Sequence, residues 1–487
     1  MYWVCAGLRA AYKPLWFDEI VTWQVARLPT LRAIWAALHE GVDQETPLTH
    51  LAVRCSHALF GIGLLATRLP ALIGFWTMLL ALYAFLKRRV PAQYALIGMT
   101  LPMLTFAWQY SFEARAYGVM LGCAAVALLA WQNVADGRIR RPSLAAIAIA
   151  LIVGVGSHPF CALIAIPLGL GEAMRTVERK RLDWGVWLAI AAGALGALSF
   201  PGSIEATRDW DMTGLQPSLT ALPGFYDAAM RSAITPMLIA GLAVCILGRR
   251  EKMEDAVGPV LPRHEAAALI GCIAVPALFF FGGFVSHRFV FNSRYGLLCV
   301  IGVAGALPVV LFRAVGGGRR GWVLLAALVA WLAAARGREA IAMAQSPRVQ
   351  FEDDNPLLMR ALATGSPVVA IDPLTFLAAD VYAPADSLAR LNYVTADRQT
   401  AQRYIAQDLV DQLVIRSARV LPVRAKVKSL REFLERNPTF LFHQSGPLNC
   451  VQEELMGAGW RFTLNARRGT ATLYEVTAPV SGAARRQ

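Results

Sequence analysis

From Arg68 to about Ala335 the chain is a succession of apolar runs separated by short polar loops. Each run approaches the ~20 residues that a helix needs to cross ~30 Å of hydrocarbon. The pattern predicts spans near residues 69–86, 94–110, 115–133, 143–157, 159–174, 184–200, 234–248, 265–284, 295–312 and 321–335. With one more before Asp18 the total is roughly eleven. Only Met1 to Trp16 precede Asp18, with Arg9 and Lys13 among them, so the first span is expected to be truncated and the true start to lie upstream.

Beyond Phe351 the period changes. Short β-prone runs at Pro367–Ile371, Leu391–Val394, Leu413–Ile415 and Thr439–Phe442 alternate with helical patterns at 374–382, 398–409, 428–436 and 449–458. A hairpin is expected from Phe462 to Val476, around Arg468-Gly469. The fold class is therefore mostly α, a polytopic transmembrane helical bundle over 1–335 followed by a small α/β domain over 336–487. No Gly-rich fingerprint follows a strand in that domain, so no nucleotide site is assigned to it.

Segment 47–61 decides the orientation of the bundle. It is short and carries His50, Arg54 and His57, so it reads as an amphipathic helix in the interface rather than a span. Every basic cluster then falls on one side: Lys87-Arg88-Arg89, Arg138 with Arg140-Arg141, Arg175 through Arg181, Arg249-Arg250 with Lys252, and Arg313 with Arg319-Arg320. By the positive-inside rule that side is cytoplasmic. The first loop, 17–68, the turns near 111–115 and His158, the loops 201–233 and 285–294, and the C-terminal domain are then expected outside.

Composition agrees with a membrane protein. Of 487 residues 56% are hydrophobic and 16% charged, and the mean hydropathy of +0.47 excludes a soluble globular chain. The net charge of +14 sits in interhelical loops without interleaved aromatics, so it reports orientation and not nucleic-acid binding. Eight cysteines without paired spacing indicate neither a disulfide scaffold nor a metal framework, and Cys450 reads as a small buried hydrophobe.

Ionisable groups at the ends of apolar segments are the candidate chemistry. They are Asp18 and Glu19 after Trp16-Phe17, Arg68 at the entry of a span, Glu113, Arg115 and Tyr117 around the turn into another, His158 at a turn, and Arg294-Tyr295 before a late span. The spacing of Glu113 and Tyr117 predicts a shared helix face, with Arg115 pointing elsewhere. The plain alternatives are that Asp18 caps a helix, that the arginines snorkel as interfacial anchors, and that His158 is a satisfied turn residue. Taken together, a carboxylate that can deprotonate a hydroxyl and arginines that can grip a phosphate are the groups needed for transfer from a lipid phosphate. Any metal would be a divalent ion held by Asp18 or Glu19; no cofactor is certain.

The order of these motifs resembles a known family. An Asp-Glu pair after a first span, Thr46-Pro47-Leu48 opening an interfacial helix, Arg68-Leu69-Pro70, the run Tyr110-Ser111-Phe112-Glu113-Ala114-Arg115-Ala116-Tyr117, and a late Arg294-Tyr295 are similar to the bacterial GT-C membrane glycosyltransferases. These include protein O-mannosyltransferases and the lipid A aminoarabinose transferase. The resemblance implies a catalytic or metal-associated role for Asp18 with Glu19 as its partner. It also implies phosphate binding by Arg68, and a cavity lined by Glu113 and Arg115. It implies a sugar donor on a polyprenyl phosphate, an envelope acceptor (lipid A, polysaccharide, protein or lipid), inversion at the anomeric carbon, and an inner-membrane location with a periplasmic C-terminal domain. Thr46 stands where relatives often carry Pro, and Ala71 where they often carry Ser. The competing expectation is a transporter or flippase of a lipid-linked sugar, which would place its polar groups at mid-membrane; a third is an inactive scaffold.

Overall fold

The computed structural model describes residues 1–199, 218–247, 261–286, 292–342, 345–397, 400–401, 403–446 and 449–479. Its contacts divide the chain into two units. One comprises Met1–Ala11 and the described residues between 45 and 342, the other Tyr12–Gln44 and the described residues from 345 on. Helices α1 (Tyr2–Tyr12) and α4 (Pro47–Phe60) fall to the first; α2 (Phe17–Ala26) and α3 (Leu31–His39) fall to the second.

The first unit continues with α5 (Leu64–Leu86), α6 (Ala92–Thr100), α7 (Tyr117–Ala135), α8 (Arg140–Ser157), α9 (Ala165–Arg179), α10 (Trp184–Ala191), α11 (Ala221–Leu247), α12 (Arg263–Ser286), α13 (Leu298–Val315) and α14 (Arg319–Ile341). Among the described residues seven helices are long and apolar enough to cross a bilayer: Leu64–Leu86, Tyr117–Ala135, Arg140–Ser157, Pro159–Arg179, Arg263–Gly283, Leu298–Val315 and Arg319–Glu339. Ala92–Leu104 and Trp184–Ser199 are shorter apolar helices. The chain is a multi-pass membrane protein. The segment at 47–61 is a separate 14-residue helix, ended by Gly61 at φ +82.

Several boundaries differ from the sequence pattern. The run 94–110 is not one helix, because Pro102 has no N–H to continue the ladder. After α6 ends at Thr100 the chain proceeds through two 3₁₀ turns, Leu101–Leu104 and Phe106–Ser111. Helix α11 begins at Ala221 and absorbs part of the expected loop 201–233. The basic cluster at Arg249-Arg250 and Lys252, and His287, lie outside the described residues.

Two features hold the bundle together. Glycines bring α5 and α7 into backbone contact: a Cβ on Gly118 would collide with the Ala71 carbonyl, and one on Gly122 with the Gly74 carbonyl. This is the small-residue packing that lets membrane helices approach closely. At the other end of α7 lies a network of ion pairs, buried at Glu172, Arg175 and Glu265 and exposed at Arg140. Glu172 accepts from Arg175 at 2.8 and 2.9 Å and from the Trp131 indole at 2.9 Å; Arg140 bonds Asp183 in bidentate fashion at 2.8 and 2.6 Å. Arg89 holds Glu265 with its Nε at 2.9 Å and also bonds Asp136, while His264 meets Glu178 at 2.8 Å. Several cations that sequence reads only as orientation markers are thus structural partners. Hydrogen bonding and charge from Arg140 hold the Asp183 carboxyl down at about 2.

The second unit carries a six-stranded sheet, β1 (Val368–Ala370), β2 (Leu391–Thr395), β3 (Lys426–Ser429), β4 (Thr439–Ser445), β5 (Arg461–Arg468) and β6 (Ala471–Thr477), in the order β3-β2-β1-β4-β6-β5. The first four are parallel, with Val369 in register with Phe442, and the β5–β6 hairpin adds antiparallel at the β4 edge. Helices α15 (Pro347–Asp354), α16 (Pro356–Ala363), α17 (Pro373–Tyr382), α18 (Ala385–Leu388), α19 (Ile405–Val420), α20 (Leu430–Leu434) and α21 (Cys450–Gly457) complete it. Val369, Phe440, Phe442, Phe433, Leu455 and Cys450 form one core. The strand expected at 413–415 is helical: Asp411, Val414 and Ser417 are buried at a three-residue spacing, the period of a helix. The third parallel strand is instead the charged Lys-Val-Lys-Ser at the sheet edge, whose polarity hides it from a hydrophobic search.

Candidate functional site

In the first unit the candidate residues gather where α4, α7 and α8 meet. Thr46, the N-cap of α4, reaches the carbonyls of Gly156 and Ser157 with its hydroxyl, at 2.8 Å for Ser157. Thr49 reaches the Ser157 carbonyl at 3.0 Å. These are last-turn carbonyls of α8, which its own ladder leaves without partners. Two threonines thereby tie the start of α4 to the end of α8.

The chain enters α7 through a tight turn. The Arg115 amide bonds the Glu113 carbonyl at 2.7 Å, a two-residue closure, and helix begins only at Tyr117. Glu113 and Tyr117 therefore do not share a helix face, contrary to the spacing argument, because Glu113 precedes the helix. Arg115 turns to the buried carboxylate of Glu45, with Nε 3.0 Å from Oε1 and side chains 7% and 1% exposed. Glu113 is buried as well.

Aromatic rings pack beside this pair. Tyr117 meets Tyr110 edge-on at 4.9 Å between centroids and lies 4.8 Å from His158, and Phe160 links His158 at 5.3 Å to Tyr295 at 4.2 Å. His158 caps the 3₁₀ turn Pro159–Ile164, its Nδ1 accepting from the Phe160 amide at 3.2 Å. Burial, then the charges of Arg115 and Arg294, push its pKa down to about 3, so the ring is neutral and its hydrogen sits on Nε2. Arg294 and Tyr295 occupy a 3₁₀ turn before α13, with the guanidinium 5.7 Å from the Tyr295 ring centre. Arg68 is fully buried in the second turn of α5, and its Nη1 donates to the Ala10 carbonyl at 2.9 Å.

A cavity of about 140 Å³ opens here, lined by Arg115, Thr49, Thr67 and Ser157 together with Leu48, Val53, Pro70 and Val119. It shares Pro70, Val119 and Val153 with a second cavity of about 490 Å³ between α5, α7 and α8. That larger groove is almost wholly apolar, walled by Ile73, Gly74, Val126, Ala146, Ile149 and Ala150, with Thr77 and Cys123 its exceptions. A small chamber edged by Arg115, Thr49, Thr67 and Ser157 thus adjoins a larger apolar groove.

Asp18 and Glu19 belong to the second unit. Helix α2 starts after Trp16, and it is Glu19, not Asp18, that reaches back to the Trp16 amide, at 3.4 Å. Glu19 is fully buried, while Asp18 is half-buried. Thr22 donates within reach of the Asp18 carbonyl at 3.0 Å and of the buried Asp43 carboxylate at 3.2 Å. The Leu15 amide donates to the Tyr382 hydroxyl at 2.7 Å, and α2 packs on α17, which explains why this stretch groups with the sheet. Among the described residues no three His, Cys, Asp or Glu side chains converge to hold a metal ion.

Sequence reasoning missed Glu45, Thr46 as a clamp, Thr49 and Asp43. The signal for Glu45 was an acid directly before Thr-Pro-Leu; only the fold shows that it faces Arg115.

No protein-family model and no curated protein matches this sequence. In structure the chain is similar to ArnT from Cupriavidus metallidurans bound to undecaprenyl phosphate, at 14% identity and a TM-score of 0.47, over 97% of this chain and 96% of that one. The same protein in the apo state aligns equally, over 95% of its chain. An Archaeoglobus fulgidus oligosaccharyltransferase, in complex with Zn and sulfate, is similar at 13% identity and a TM-score of 0.40, over 88% of this chain and 61% of that one.

Proposed function

We propose that this protein is a membrane glycosyltransferase that moves a sugar from a polyprenyl-phosphate carrier to a hydroxyl-bearing acceptor. The observation that carries the reading is the junction of two cavities: Arg115, with Thr49, Thr67 and Ser157, lines a small, mostly apolar chamber that shares its wall with an apolar groove between α5, α7 and α8. A phosphate fits the first and an isoprenoid tail the second, since the tail is held by burial and the head by charge-assisted hydrogen bonds.

In this reading a carboxylate takes the proton of the acceptor hydroxyl, a role that the Asp-Glu motif of the sequence assigns to Asp18. The hydroxyl oxygen then bonds to the anomeric carbon from the face opposite the carrier. The carbon–oxygen bond to phosphate breaks, its electrons leave with the phosphate, and the configuration inverts. The guanidinium of Arg115 offsets the charge left behind. Glu113, Tyr117, Arg294 and Tyr295 are not among the residues that line the chamber and would contact the sugar or acceptor outside it, where neutral His158 would offer a hydrogen-bond donor. A divalent ion would fall to Asp18 or Glu19 and would supply positive charge there, although among the described residues no group of three metal-ligating side chains converges. The sugar is a hexose or pentose; the acceptor is lipid A, a polysaccharide, a protein or another lipid. The reaction is placed at the periplasmic face of a bacterial inner membrane, where the basic loops inside and the C-terminal domain outside would put the site.

The test is a transfer assay in nanodiscs with polyprenyl-phosphate-linked sugars and envelope extract. Val153→Trp, at the shared wall, should abolish donor binding, and Asp18→Asn should lower turnover about 10²–10⁴-fold with binding intact. Labelling of cysteines introduced at residues 88 and 400 should place them on opposite sides. Movement of intact lipid-linked sugar across the bilayer without transfer would replace this reading with a flippase.

A further inference from the structure

Glu45 has no role in the chemistry described so far, yet it is among the most deeply buried carboxylates of the first unit, at 2% exposure. Its Oε1 lies 3.0 Å from Arg115 Nε, and its Oε2 lies 3.5 Å from the Thr49 hydroxyl, which also lines the chamber. The backbone that carries it is stiff. Glu45 is followed by the N-cap Thr46 and by Pro47, and Thr46 and Thr49 are both fastened to the end of α8. Arg115, by contrast, hangs from a turn outside any helix.

We infer that Glu45 is a positioning residue, which fixes the plane of the Arg115 guanidinium so that it meets the phosphate of a polyprenyl-phosphate ligand in the chamber. A guanidinium is a planar fork whose value to a phosphate depends on its orientation. A carboxylate 3.0 Å from Nε, on backbone pinned by two threonines, restricts by its charge where that guanidinium can sit. The carboxylate stands beside the start of α4, where the helix dipole favours negative charge. The inference rests on the phosphate reading above and adds a residue to it.

The alternative is that Glu45 is only a counter-charge, keeping an empty chamber neutral. The two roles predict opposite results. If Glu45 only neutralises, removing its charge should tighten phosphate binding, and any carboxylate should serve.

The experiment measures binding of decaprenyl phosphate to the full-length protein in nanodiscs by calorimetry, with thermal unfolding of each variant alongside. For a positioning residue, Glu45→Gln should weaken binding about 10- to 100-fold, close to the effect of Arg115→Gln, and should add little in the Arg115→Gln background. Glu45→Asp, which keeps the charge but withdraws it by one methylene, should still weaken binding about 3- to 10-fold. That variant keeps the question answerable where Glu45→Gln fails to fold. Wild-type affinity in Glu45→Asp, or tighter binding in Glu45→Gln, while Arg115→Gln loses the ligand, would overturn the positioning role and leave the phosphate site standing. Wild-type affinity in Arg115→Gln would overturn the site itself, and this inference with it.

Discussion

Replacing Arg115 by Lys is the sharpest perturbation of this site, because the fold separates three arginines that sequence treats alike. Arg115 lines the chamber. Arg68 is fully buried and holds the Ala10 carbonyl at 2.9 Å; Arg294 is half-buried with its guanidinium 5.7 Å from the Tyr295 ring centre. Lys at 115 keeps a cation opposite Glu45, so the pair is not left as a lone buried charge and the melting temperature should hold. What disappears is the fork. A hydrogen bond to a charged group is worth about 1.5–3 kcal/mol, and each 1.4 kcal/mol is tenfold, so loss of one such bond should weaken decaprenyl phosphate binding by about 10- to 150-fold. Arg68→Met should show the reverse: a buried carbonyl without its donor costs about 1–3 kcal/mol of stability, with ligand affinity changed far less. Binding calorimetry and thermal unfolding on the same nanodisc samples separate the two effects. Unchanged affinity in Arg115→Lys, together with lost affinity and an unshifted melting temperature in Arg68→Met, would refute the assignment.

Other consequences follow from the same geometry. Glu172→Leu should destabilise the bundle by about 3–5 kcal/mol by leaving Arg175 buried against Asp183 at 3.4 Å alone, whereas Glu172→Leu with Arg175→Leu should recover most of it; equal losses in both would disprove the ion-pair account. Gly118→Val should disrupt the α5–α7 contact and lower detergent stability, while Gly137→Ala, in open space at φ +73, should cost only its local backbone strain. Burial, opposed weakly by Asp372, lowers the His443 pKa to about 4. Because the unfolded chain takes up this proton first, the stability tied to neutral His443 is complete above about 6.5 and is lost as pH falls toward 4, by about 3 kcal/mol in total. The slope of unfolding free energy against pH over that window should flatten in His443→Gln; an unchanged slope would mean that other groups carry it.

Much of the architecture was legible in the residues themselves. Apolar run length fixed the spans because a bilayer admits only segments that satisfy their own backbone, and α5, α7, α8, α12 and α13 begin and end within a few residues of the pattern. The hairpin around Gly469 and the helices at 373–382 and 450–457 were equally plain, since turn and period signals are local. What was not legible was everything that depends on a distant partner. Lys426–Ser429 looks like loop until β2 pairs with it, and Leu413–Ile415 looks like a strand until Asp411, Val414 and Ser417 bury one helix face. The sequence alone also pointed to the acidic pair, the Glu-Ala-Arg-x-Tyr run and the late Arg-Tyr, because charge at the end of an apolar segment is costly and therefore conspicuous. Only the tertiary structure decided that Arg115 faces Glu45, that Arg68 holds a helix-end carbonyl, and that a groove adjoins the chamber between three helices. Those facts arise from a γ-turn, two threonine clamps and a line of glycines, and none of them leaves a periodic mark in the chain.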